Sequence, residues 1–89
     1  MAAVKVNEII DGDTFKIRPE KRIRPTGYNT PEKGEKGYQK AKKHLQQLIK
    51  GKTVGLAHVL AVDCGREIRR VTVNGKPLGK LMKPYAKKR

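Results

Sequence analysis

Apolar residues recur at two spacings along this chain. Near the start the spacing is short: Val4 and Val6, the pair Ile9-Ile10, then Phe15 and Ile17, then Ile23, with polar residues between them. Alternation of this kind predicts half-buried strands. Val4 to Ile10 reads as one strand blurred near a bend, Thr14 to Arg18 as a second, and Arg22-Ile23-Arg24 as an extended third. Asp11-Gly12-Asp13 and Pro19-Glu20-Lys21 supply the turns. Residues 4–28 are thus expected to form a three-stranded meander. Residues 29–37, punctuated by Pro31, Gly34 and Gly37, read as a loop.

From Tyr38 the period lengthens. Tyr38, Ala41, Leu45, Leu48 and Ile49 form one stripe of an amphipathic helix, with Lys40, Lys42 and Lys43 off that stripe and Gly51 suited to ending it. Thr53–Leu56 and Val59–Val62 then supply one further apolar strand, with a bend expected at Gly55 or His58. Asp63-Cys64-Gly65-Arg66 is a turn, and Glu67–Val73 is a last strand before the tight Asn74-Gly75 turn. Residues 78–83 are expected to add one short helix. The order β-β-β-α-β-β is that of a five-stranded Greek-key barrel with a helix between its third and fourth strands, the OB architecture.

Composition narrows the function. The 89 residues carry 22 Lys plus Arg against 8 Asp plus Glu, a formal charge of +14. A charge this large on one small domain points to a polyanionic partner, and nucleic acid is expected. The few aromatics (one Phe, three Tyr, no Trp) give no basis for a stacking platform. No apolar run reaches the roughly 20 residues of a spanning helix, so no membrane partner is expected. One cysteine excludes an intramolecular disulfide framework, and with His44 and His58 it makes no zinc set. The segment Met1–Glu8 has no signal-like apolar stretch, so a cytoplasmic location is expected. The chain reads as one domain over 1–89, a monomer, with a basic tail over about 84–89.

One polar cluster looks too specific for surface filler. Asp13 follows the first turn, and Asn29, Thr30 and Glu32 share a loop some sixteen residues on. The pattern alone leaves open whether turn and loop lie at the same end. If they do, the Asp13 carboxylate, the Asn29 amide and the Thr30 carbonyl are hard oxygen donors suited to Ca²⁺ or Mg²⁺, with Glu32 free to act as a base toward water.

Val6–Ile17 (VNEIIDGDTFKI), Arg24–Glu32 (RPTGYNTPE), the helix ending Gly51-Lys52-Thr53-Val54, and Asp63–Arg66 (DCGR) together resemble the thermonuclease, or staphylococcal-nuclease-like, family in order and near its spacing. The resemblance implies an OB barrel and Ca²⁺-dependent hydrolysis of DNA and RNA. It implies Asp13 and Thr30 as metal ligands, Glu32 as general base or organiser of water, and Arg24 and Arg66 as holders of the scissile phosphate. The chain departs from the family at three points near the motifs. Asn29 stands where the family has a second metal-binding aspartate, Pro25 replaces an aliphatic residue and implies a distorted or edge strand, and Cys64 replaces a tyrosine. The family's closing C-terminal helix is absent or reduced to residues 78–88.

Lys33, Lys36, Lys40 and Lys43 are expected to form a phosphate-facing rim. The leading expectation is a metal-dependent nuclease. Its rivals are a nucleic-acid-binding OB module with a decayed metal site and a protein-interaction domain that keeps only the barrel.

Overall fold

In the computed structural model, which describes residues 2–18 and 20–86, the alternating segments become nine short strands in two sheets. Pro19 of the expected second turn and Lys87, Lys88 and Arg89 of the basic tail lie outside the described residues. The strands are β1 (Ala2–Lys5), β2 (Glu8–Asp11), β3 (Thr14–Ile17), β4 (Lys21–Pro25), β5 (Thr53–Leu56), β6 (Ala61–Asp63), β7 (Arg66–Arg69), β8 (Val71–Val73) and β9 (Lys76–Pro77). One sheet runs β1-β5-β8-β9 and the other β2-β3-β4-β7-β6. Every neighbouring pair is antiparallel except β4 and β7, which run parallel with Arg22 opposite Arg66 and Pro25 opposite Arg69.

The chain changes sheet four times, twice through connecting segments (β4 to β5 and β5 to β6) and twice at short breaks in an otherwise continuous strand. At the first, Val6-Asn7 separates β1 from β2, with the Val6 N–H donating to Lys52 at 2.9 Å and the Asn7 N–H to Lys16 at 2.8 Å. At the second, Arg70 separates β7 from β8, and its carbonyl accepts from the Ala57 N–H at 3.0 Å. The first expected strand and the last are therefore each split in two. The fold is mainly β with two helices, α1 (Tyr38–Ile49) and α2 (Leu78–Leu81), the second followed by a 3-10 turn over Lys83–Tyr85.

The helical stripe behaves as its spacing predicts. Tyr38, Ala41, Leu45 and Ile49 are buried, and the helix ends at Ile49, capped by Lys50 just before Gly51. Phe15, Ile23, Leu45 and Ile49 have no exposed surface. Removing each from water contributes roughly 1.5–3 kcal/mol.

Two expectations need correction. Of the two alternatives for Pro25, a distorted or an edge strand, the edge is excluded: β4 is interior, between β3 and β7. The β3–β4 ladder ends at Ile23, so the donor that Pro25 lacks is not needed on that side, and the ring is buried as the last residue of the strand. Thr53–Leu56 and Val59–Val62 do not form one apolar strand: the first is β5 in the four-stranded sheet, and the second leads into β6 of the other sheet. Only Ala61–Asp63 pairs, at the edge of the five-stranded sheet, and Val59, Leu60 and Val62 are 40%, 48% and 70% exposed. A sequence pattern reports that residues are apolar, not which side of a sheet edge they reach.

The turn between β2 and β3 is wedged against the rest of the molecule. A Cβ on Gly12 would lie 2.7 Å from Thr30 Oγ1 and 2.8 Å from Ala41 Cβ, so only a residue without a side chain lets this turn meet the loop and α1 together. Gly12→Ala is expected to destabilise the fold by about 1–3 kcal/mol through overpacking. Chemical denaturation of the two proteins checks this, and equal midpoints would contradict it.

Candidate functional site

The Gly12 contact brings the Asp11–Asp13 turn and the 29–33 loop to the same end of the molecule. They line one cavity of about 420 Å³, with Asp11, Asp13, Asn29, Thr30, Glu32 and Lys33 around it and Arg24 and Arg66 contributed by β4 and β7. The parallel β4–β7 pairing delivers the two arginines: Arg24 lies opposite Ile68, two residues beyond Arg66 on the adjacent strand. Their separation in sequence carries no hint of this.

Asp13 stands at the centre of a connected set. Its Oδ2 accepts a long hydrogen bond from the Thr30 N–H at 3.4 Å and lies 3.9 Å from Arg24 Nη2. Its Oδ1 accepts from the buried Thr14 hydroxyl at 3.4 Å, and the same hydroxyl oxygen accepts from Arg66 Nη1 at 3.2 Å. Arg24 Nη2 also donates to the Asn29 amide oxygen. Asp13 thus links the two guanidinium groups, one directly and one through Thr14. Arg66 further pairs with Asp63 at 3.7 Å, while its Nε is buried without a hydrogen-bond partner among the described residues. An orphaned donor of that kind is costly unless an oxygen atom reaches it.

Two tyrosines brace the turn from beneath. The Tyr28 hydroxyl donates to the Gly12 carbonyl at 2.9 Å, and the Tyr38 hydroxyl donates to Asp11 Oδ1 at 2.8 Å. Burial pushes the Tyr28 phenol well above its usual range, with the Asp13 charge adding to the effect and Arg24 opposing it. The hydrogen bond to Asp11 raises Tyr38, and burial raises it further.

Glu32 is exposed on the rim. Its backbone N–H donates to Glu35 Oε1 at 2.8 Å, and its own carboxylate makes no hydrogen bond or ion pair among the described residues.

The cavity takes in three of the eight acidic residues of a chain with 22 cations, and balances them with Arg24, Arg66 and Lys33. Among the described residues no three His, Cys, Asp or Glu side chains are close enough to cage a metal ion on their own. The expected basic rim divides. Lys33 lines the cavity, Lys40 and Lys43 flank a separate groove beside His44 and Tyr85, and Lys36 lines neither. From sequence Asp11 reads as a turn former, Tyr38 as part of the helical stripe and Thr14 as the start of a strand, with no role at the site marked for any of them or for Tyr28. For Thr14 the signal lay in its place directly after Asp13. For the tyrosines there was none, since their partners are 16 and 27 residues away.

Because Tyr28 ionises less readily folded than unfolded, its contribution to stability is full below pH about 10 and is lost as pH rises through its folded value. Tyr28→Phe is expected to cost about 1–3 kcal/mol at neutral pH by orphaning the Gly12 carbonyl. The same change should flatten the alkaline loss of stability above pH about 10. Denaturation at neutral and alkaline pH reads both, and an unchanged alkaline slope would contradict the assignment. No protein-family model matches the chain, nor does any curated protein.

Proposed function

We propose that the chain is a small metal-dependent phosphodiesterase acting on nucleic acid. The observation that carries this reading is the convergence of Asp13, Arg24, Asn29, Thr30, Glu32 and Arg66 around one cavity. With β1-β2 and β7-β8 each counted as one strand bent at Val6-Asn7 or Arg70, these two together with β3, β4 and β5 support reading a five-stranded OB barrel to which β6 and β9 are additions.

In this reading a phosphodiester lies against Arg24 and Arg66. Two planar cations stabilise the negative charge that gathers on the phosphoryl oxygens as water attacks. The water oxygen bonds to phosphorus, one P–O ester bond breaks, the water proton passes to Glu32, and the leaving oxygen takes a proton from solvent. Asp13 keeps the guanidinium groups in place, directly for Arg24 and through Thr14 for Arg66.

The donor chemistry fits a hard divalent cation, Ca²⁺ or Mg²⁺, held by the Asp13 carboxylate, the Thr30 carbonyl and the Asn29 amide, with substrate and water completing the shell. Such an ion would neutralise charge on the bound phosphate. With an amide at position 29 the set carries one negative charge fewer than a pair of carboxylates would, and Asn29 must give up its bond to Arg24 to take part. Weak metal affinity follows.

That same Arg24–Asn29 bond favours a second reading, a nucleic-acid-binding module without hydrolysis. Incubation of single-stranded DNA and of RNA with Ca²⁺, Mg²⁺ or EDTA separates the two. The enzyme reading expects cleavage with metal, none with EDTA, and at least a hundredfold loss in the Glu32→Gln variant with binding retained. Salt-sensitive binding with no cleavage in any metal would leave the module alone. Asn29→Asp is expected to tighten metal binding.

A further inference from the structure

Next to the candidate cavity lies a second and larger one, of about 650 Å³, which shares Arg24 and Asn29 with it. The two concavities therefore form one trough with the Arg24–Asn29 pair as the ridge between them. Their charge differs sharply. The first balances three carboxylates against three cations, whereas the second holds Arg24, Lys80 and Lys83 and no carboxylate.

The far wall is built by α2 and the 3-10 turn after it, which bring Lys80 and Lys83 to face Tyr28 and Gly27. The approach is close: a Cβ on Gly79 would lie 3.3 Å from the Gly27 carbonyl carbon and oxygen. The glycine keeps this side of the trough narrow and free of side-chain bulk. Both lysines are exposed, and neither has an ion pair among the described residues.

We infer that this second concavity holds the phosphate next to the scissile one in a single-stranded polynucleotide, with Lys80 and Lys83 as its cationic contacts. The inference rests on the phosphodiester reading of the first cavity and adds the strand's track and its single-stranded form. A recess whose charged lining residues are all cations suits a phosphate and repels a divalent ion. Its volume lies within the range of ligand pockets and accommodates a splayed nucleotide. A strand without a base-paired partner can splay its backbone to seat neighbouring phosphates in two adjoining recesses, which a stacked duplex does less readily. Lysines beside a recess then supply salt-dependent affinity without reading sequence.

The test is binding of a fluorescein-labelled oligothymidylate of eight nucleotides in EDTA, followed by anisotropy across a salt series. Wild type is compared with the Lys80→Gln/Lys83→Gln double variant and with Lys50→Gln/Lys52→Gln. The second pair removes the same charge from exposed positions that line neither concavity. Loss of two single-strand phosphate contacts should make the slope of log K against log salt shallower by about 1.4, equivalent to roughly 25-fold weaker binding at 0.1 M salt. The 50/52 pair should lose less than a third of that. Thermal melts verify that all three proteins fold, and the single variants Lys80→Gln and Lys83→Gln stand in should the double variant melt early. Equal losses in the two double variants, or a duplex of equal length bound as tightly as the single strand, would overturn the inference and leave the first cavity's reading standing. Failure of wild type to bind the oligonucleotide at low salt would overturn both.

Discussion

The tight meeting of Gly12 with Thr30 and Ala41 holds three parts of the chain in register: the first hairpin, the long loop and the helix. None of the three brings a complete set of chemical groups. The hairpin carries carboxylates, the loop carries an amide and another carboxylate, and the helix carries the tyrosine that fixes Asp11. A close-packed junction transmits position accurately because interiors of this density have no slack to absorb a shift. The precision of the Asp13 contacts with Thr30 and Arg24 is inherited from that junction rather than from the loop itself.

Electrostatics complete what packing begins. In a strongly cationic chain, two guanidinium groups would ordinarily drift apart and face water. Asp13 and the Thr14 hydroxyl tie them to a common centre, and Thr14 can serve because it is buried and oriented by both neighbours. Low exposure also strengthens each of these polar contacts relative to the same pair at a wet surface.

Legibility from sequence followed the range of the interaction involved. The helix over Tyr38–Ile49 and the turns at Asp11–Asp13, Asp63–Arg66 and Asn74-Gly75 depend on neighbours a few residues away, and their patterns are plain in the residues themselves. The grouping of Asp13, Asn29, Thr30 and Glu32 could be named but not located, because a period of two says nothing about which ends of which strands meet. The breaks at Val6-Asn7 and Arg70 and the exposed Val59–Val62 stretch depend on sheet curvature and edge position, for which single-residue polarity is silent. Tyr38 reads as an ordinary core residue of the helical stripe and Tyr28 carries no pattern of its own, and their hydroxyl partners exist only once the turn has docked on them.

The parallel pairing of β4 with β7 joins residues 44 positions apart, Arg22 with Arg66. Everything else around the cavity comes from a continuous stretch between residues 11 and 33. Pairings of long sequence separation form late, since the entropy of closing the intervening loop must be met before contacts compensate it. During folding, the acidic half of the cavity is therefore assembled with a single guanidinium, and Arg66 arrives as the closing piece. The full charge pattern of the cavity exists only after β7 has docked beside β4, and a half-folded chain presents its carboxylates with Arg24 as the only guanidinium.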